Sequence, residues 1–161
     1  MRRLIVVLAA AALFITGALP ALSAGPTNYR THLTGDEEVD PVDTQAQGQA
    51  IFKLSADGTE LHYKLIVANI ENVTQAHIHI APAGTNGGIV AWLYPAAPPL
   101  VLIPGRSQGV LATGAITADD LVGSLAGQDL EALIAAFNSG DAYVNVHTSA
   151  FPGGEVRGQI D

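Results

Sequence analysis

The residues best suited to chemistry in this sequence are histidines. His77 and His79 stand two apart in the run Ala76-His77-Ile78-His79-Ile80, which alternates as a β-strand does. On a strand, both imidazoles leave one face roughly 6–7 Å apart along the chain, while Ala76, Ile78 and Ile80 turn to the other. His147 closes a second alternating run, Tyr143-Val144-Asn145-Val146-His147, in which Val144 and Val146 point inward and Tyr143, Asn145 and His147 share the opposite face. If the two strands are neighbours, three imidazoles meet on one sheet surface. Such an N₃ set with an open position suits a single Zn²⁺ or Cu²⁺ ion, whose bonds to histidine are about 2.0–2.1 Å long. The competing reading is three half-exposed polar side chains on an ordinary sheet face.

The other titratable groups read as structural. His62 shares its strand face with Lys64 and reads as solvated; His32 precedes Leu33 with no partner visible in the sequence. Glu155 and Arg157 fit a surface or rim ion pair closing the sheet better than a catalytic base and its partner. Asp36, Glu37, Glu38, Asp40 and Asp43 lack the Gly-punctuated ligand spacing of a calcium loop and read as a solvated edge. No Gly-x-Ser-x-Gly is present, so a serine nucleophile is not expected.

The elements that must position the histidines are short strands. Ala46 to Leu54 and Leu61 to Val67 alternate around Asp57-Gly58, a hairpin signal because Gly accepts positive φ. Ala76 to Ile80 pairs in this reading with Ile89 to Leu93 across the Gly-rich loop Ala81 to Gly88. Ala142 to Thr148 pairs with Gly154 to Ile160 through Phe151-Pro152-Gly153. Phe52, Leu65, Ile78, Ile80, Val144 and Val146 are the expected core. Thr117 to Leu121 has the form of a capped helix start with Asp120 three residues after Thr117. Leu130, Leu133, Ile134 and Phe137 have helical spacing, and Gly140 suits the C-terminal cap. Pro95 to Pro104 carries four prolines and reads as an irregular loop. The expected fold class is therefore all-β, an antiparallel β-sandwich or Greek-key-like barrel with one or two short crossover helices.

Composition narrows the function further. The 161 residues include no cysteine, which excludes disulfides, thiolate metal sites and a thiol nucleophile. Fifteen Asp and Glu against seven Lys and Arg argue against a nucleic-acid partner, since that requires a basic patch. Met1-Arg2-Arg3, the apolar run Leu4 to Leu19 and the small residues around Ala21 to Ala24 have the pattern of a signal peptide over residues 1–24. Pro20 interrupts this run, which is short for a span of about 20 residues. Cleavage would leave 5 basic and 15 acidic side chains, a formal charge of −10. The expected product is secreted, extracellular or periplasmic, with no membrane span after cleavage.

Three motifs in order carry a family resemblance. Leu33-x-Gly35-x-x-Glu38-Val39-x-Pro41-Val42 comes first, followed by Ala76-His77-Ile78-His79 with its Gly-rich loop. Tyr143 to Thr148 with Pro152-Gly153-Gly154-Glu155-Val156-Arg157-Gly158-Gln159 completes the set. Together they resemble the chordin-type (CHRD) domain from about Tyr29 to Asp161, as found in microbial secreted single-domain members. The resemblance implies a domain over residues 29–161, all-β and extracellular, with a poorly defined molecular role. Chordin's cysteine-rich modules have no counterpart, so its growth-factor antagonism does not carry over. His77-Ile78-His79 before a Gly-rich loop is also similar to the His-x-His strand of copper/zinc superoxide dismutase. However, no histidine lies between His79 and His147, so the second metal's ligands are missing and any site is mononuclear.

The function expected is a non-enzymatic binding module with a surface site for copper or zinc at His77, His79 and His147. A small metal-dependent redox enzyme, or a structural or adhesive cell-envelope module, is the alternative.

Overall fold

The computed structural model describes Gly25 and residues 27–161; the expected signal peptide lies outside the described residues. Seven strands and one helix follow in the order β1 (Asn28–Thr34), β2 (Gln47–Leu54), β3 (Leu61–Ile80), β4 (Gly88–Tyr94), β5 (Ile103–Ile116), α1 (Leu130–Ser139), β6 (Ala142–Thr148) and β7 (Val156–Gln159). All pairings are antiparallel. They close on themselves, because β2 joins β1, β1 joins β7, β7 joins β6, β6 joins β3, and β3 returns to β2. Closure removes open edges from these five strands, whereas β4 and β5 each pair only with β3. No helix among the described residues is long and apolar enough to cross a membrane.

Strand β3 organises the molecule. Residues 61–68 lie between β2 and β5, and residues 76–80 lie between β4 and β6. The sequence reading divides this stretch into two strands; the chain instead runs through as one, with a change of direction at its middle. Asn69 and Asn72 take φ of 56° and 53° there, and the register to β5 shifts on both sides. Asparagine tolerates this left-handed conformation better than most residues.

The expected core forms. Phe52, Leu65, Ile78, Val144 and Val146 are fully buried, while Ile80 is half-buried and packs against them. Helix α1 turns Leu130, Leu133 and Phe137 inward, and the Phe137 ring meets the edges of Tyr29 and Phe52 at 5.1 and 5.3 Å. Gly140 ends this helix at φ 75°, in the left-handed cap that glycine adopts without steric cost. Thr117 and Asp120 do bond, with the Thr117 N–H donating to Asp120 Oδ2 at 2.9 Å, but they cap only a single 3₁₀ turn over Ala118–Asp120.

Two strands have no counterpart in the sequence reading. β1 alternates buried and exposed positions, but the buried ones include Thr31, so its apolar alternation is weak. β5 follows a loop that ends at Leu102, and it includes Pro104 and Gly105, which the reading assigns to loop or leaves unassigned. β5 is largely exposed and carries no period-2 apolar pattern, because it packs against β3 mainly through its backbone. β7 starts at Val156 rather than Gly154, whose φ of 130° breaks the strand geometry.

Candidate metal centre

The pairing of β3 with β6 places His77 opposite Asn145 and His79 opposite Tyr143, with Gln75 opposite His147. The three histidines therefore share a face, on the side away from Ile78, Val144 and Val146. His77 is 0% exposed, His79 7% and His147 6%. The expectation of a surface site is thus corrected. Every residue of β6 is buried, because the second face of the sheet is roofed by loops and by side chains from β4 and β7. The Trp92 ring meets His77 edge-on at 4.3 Å.

The hydrogen bonds set the ring tautomers. A carbonyl oxygen only accepts, so Nδ1 of His79 donates to Gly87 O at 3.0 Å and Nδ1 of His147 donates to Pro152 O at 3.0 Å. Each of these rings then keeps its lone pair on Nε2. His77 Nδ1 stands 3.2 Å from His147 Nε2 and donates to that lone pair, leaving its own Nε2 as an acceptor. Nε2 of His77 and Nε2 of His79 are buried with no hydrogen-bond partner. Buried polar atoms are rarely left so, and these two are acceptors with no protein donor to meet them.

This donor set matches a cation. One ligand nitrogen from each ring lies within 4.8 Å of the others. Two nitrogens bound to Zn²⁺ in tetrahedral geometry stand roughly 3.3 Å apart. Ligation through His77 Nδ1 would move that ring's proton to Nε2, and the 3.2 Å from His77 Nδ1 to His147 Nε2 is close to that spacing. The backbone carbonyls behind His79 and His147 orient their rings in the way that outer partners fix metal-binding imidazoles. Burial holds the histidines neutral, as a ligand must be. It lowers His77 to about 3, helped by the neighbouring His147 and His79. It lowers His79 to about 4 against the opposing bond to Gly87, and it lowers His147 against the bond to Pro152.

Around the triad, Tyr143, which the sequence puts on the same face as His147, and Arg157, which it assigns to the rim, build a second layer. β7 and β3 flank β6 on opposite edges, so Tyr143 is held between Arg157 and His79. Its ring stacks on His79 at 4.8 Å and 8°, and the Arg157 guanidinium carbon stands 3.5 Å from its centroid. The Tyr143 hydroxyl accepts the Gly87 N–H at 3.0 Å, and Arg157 donates to Thr85 O at 2.9 Å. These bonds tie the β3–β4 loop over the histidines. Gly87 is required in it, since a Cβ there would fall 1.9 Å from Ile80 O.

Two further expectations are corrected. Glu155 and Arg157 do not form a rim ion pair: both are buried, and Glu155 accepts from Thr44 and Thr148 hydroxyls instead, at 2.8 Å each. Within the acidic run, Glu38 leaves the solvated edge and is 9% exposed. Its oxygens accept from Asn145 Nδ2 at 3.1 and 3.2 Å, and burial raises its carboxyl to about 7 against the pull of Arg157 and Asn145. His62 stands exposed, as expected, His32 is exposed too, and neither joins the triad. The alternation in β6 marked Tyr143 and Asn145 as facing His147, but nothing local in the sequence marked Trp92, Gly87 or Glu38 as neighbours.

A closed antiparallel barrel with a buried histidine triad on one outer face defines a class of small all-β domain. The family model for the CHRD domain matches residues 29–160, and the chain belongs to that family. Comparison with curated proteins and with solved structures gives no match.

Proposed function

We propose that this chain is an exported, non-enzymatic binding module of the CHRD family in which His77, His79 and His147 hold one Zn²⁺ or Cu²⁺ ion. The observation that carries this reading is the convergence of three buried imidazoles whose ligand nitrogens lie within 4.8 Å of one another, the rings of His79 and His147 being fixed by backbone carbonyls. Three protein ligands leave one coordination position for water or another small ligand. The same open position is what a redox enzyme would use. Among the described residues the triad is the one histidine or carboxylate cluster that could hold a metal, and binding without turnover is the expected outcome.

Titration with Cu²⁺ and Zn²⁺, read by calorimetry and thermal midpoint, tests the site. One ion should bind per chain and stabilise the native state by about 2.7 kcal/mol when free metal is 100 times Kd. His79→Ala should remove most of that gain, whereas His62→Ala should keep it. Equal titration curves for the two variants would overturn the reading. Export has its own test, since secreted product should begin between about Ser23 and Thr27 by intact mass. A mass that retains Met1 to Ala21 would mean that the segment stays as an anchor.

A further inference from the structure

Beyond Pro152, the loop that supports His147 forms a wall of a separate cleft. The bend of β3 makes the other wall. At that bend, two consecutive departures into left-handed backbone, at Asn69 and Asn72, are conformations that persist only where surrounding bonds fix them. Asn72 Oδ1 accepts the Gly105 N–H at 2.9 Å, and its carbonyl accepts the Ser149 N–H at 3.0 Å. Asn69 donates to Gln45 O at 3.3 Å and accepts from the Arg106 guanidinium. The cleft so framed has a volume of about 550 Å³, within the range of small-molecule sites of about 300–1,000 Å³. Asn69, Glu71, Asn72 and Arg106 line one side; Phe151 and Glu155 line the other.

Glu155 is the informative member. It borders the cleft yet is only 6% exposed, and among the described residues no basic side chain lies within 4.0 Å of its carboxylate. Its two oxygens accept one hydroxyl each, from Thr44 and Thr148. A carboxylate has about four acceptor positions, so roughly two remain. A buried carboxylate satisfied only by neutral hydroxyls is completed by a ligand that brings further donors, and Arg106 on the facing wall disfavours a cation there. The cleft also offers amides and a guanidinium as planar partners for adjacent hydroxyls, and Phe151 as a flat apolar face. Donor and acceptor pairs beside one aromatic face complement a ring bearing hydroxyls on its edge and C–H groups on its face.

We propose that this cleft is a saccharide-binding site, independent of the metal centre. The test is an NMR titration of the ¹⁵N-labelled full-length product with chitotriose, cellotriose and maltotriose, with lysine and CaCl₂ run in parallel. At least one trisaccharide should shift the amides of Asn72, Arg106 and Phe151 in fast exchange. Phe151→Ala should weaken that binding about tenfold, a loss of one contact's worth of affinity. Glu71→Ala, a change at an exposed position that leaves the core intact, should weaken it in the same direction. Silence with all three trisaccharides would overturn the proposal. So would shifts that survive both substitutions, or a response to lysine or calcium that exceeds every sugar response.

Discussion

The two halves of β3 have similar sequences and different surroundings. Leu61 to Ala68 alternates buried and exposed residues, with Leu61, Tyr63, Leu65 and Val67 inside and His62 and Lys64 in solvent. Ala76 to His79 alternates apolar and polar residues in the same way, yet all four are buried. In the first half the outward side chains meet water. In the second they meet a roof of loops pinned by Tyr143, Arg157 and Gln159, the last donating to Ala81 O and Gly140 O at 2.9 and 2.7 Å. An imidazole in the first half needs only solvent, whereas one in the second needs a defined partner for each nitrogen. What distinguishes a site from a surface here is thus the cover on the outward face, not the strand.

The largest effect should come from placing charge on the inward face of the second half. Val146 is fully buried and sits opposite Ala76. Val146→Asp would bury an unpaired carboxylate and should cost on the order of 3–5 kcal/mol or abolish folding, because nothing nearby pairs with it. Lys64→Asp, on the solvated side of the first half, should change stability by less than about 0.5 kcal/mol. Urea denaturation of both variants makes the comparison. A Val146→Asp protein as stable as Lys64→Asp would mean that the strand phase, and with it the burial of His147, is inverted.

Acidification should separate the halves next. In the metal-free protein His77 is lowered to about 3 and His79 to about 4 from 6.5, and His147 is lowered too. Below about pH 6.5 the unfolded chain therefore takes up protons that the folded chain refuses. The stability these groups contribute is complete above that pH and is lost as the pH falls toward 4 and then 3. Glu38 acts in the opposite sense: its carboxyl is raised from 4.5 to about 7, so the folded state gains on the unfolded one as the pH falls through that interval. Three histidines outweigh one carboxyl below about pH 6.5, so net stability should fall with acid. Glu38→Gln removes the opposing contribution and should steepen the loss. Denaturation midpoints in EDTA that stay level from neutral pH to about pH 5 would show that the imidazoles are solvated after all.

This contrast also explains how much could be read from the sequence. The phase of each strand was legible, because period-2 alternation fixes which residues share a face whatever covers them. That is why His77, His79 and His147 could be grouped from spacing alone, and why Ile78, Val144 and Val146 could be placed in the core. The roof was not legible. It comes from the loops that carry Gly87 and Pro152, each remote in sequence from at least one histidine it helps to enclose, and a loop's path over a sheet leaves no periodic signal. Residues that reach a site from afar also lose their apparent local partners. Glu155 and Arg157 look paired two positions apart, but one turns to Thr148 and the other to Tyr143. β5 escaped notice for a different reason: a strand held mainly by its backbone needs no apolar alternation, and its proline and glycines carry the signature of a loop.

The smallest expected effect lies at His62, and it is the control that gives the larger ones meaning. Its side chain is 56% exposed, and its Nε2 stands 3.2 Å from Glu60 Oε2, itself 49% exposed. A contact this open to solvent contributes little, because water and salt screen it and two flexible side chains must be held to make it. His62→Ala should therefore shift stability by less than about 0.5 kcal/mol at neutral pH. The variant should also keep the acid-dependent loss of stability seen in the parent, since that loss originates in the second half of β3. His79→Leu fills the same space without a nitrogen and removes one of the groups that refuses a proton, so its acid dependence should be shallower. If His62→Ala flattened the acid profile as much as His79→Leu, the pH response would belong to histidines in general. The difference in cover between the two halves of β3 would then have no energetic consequence.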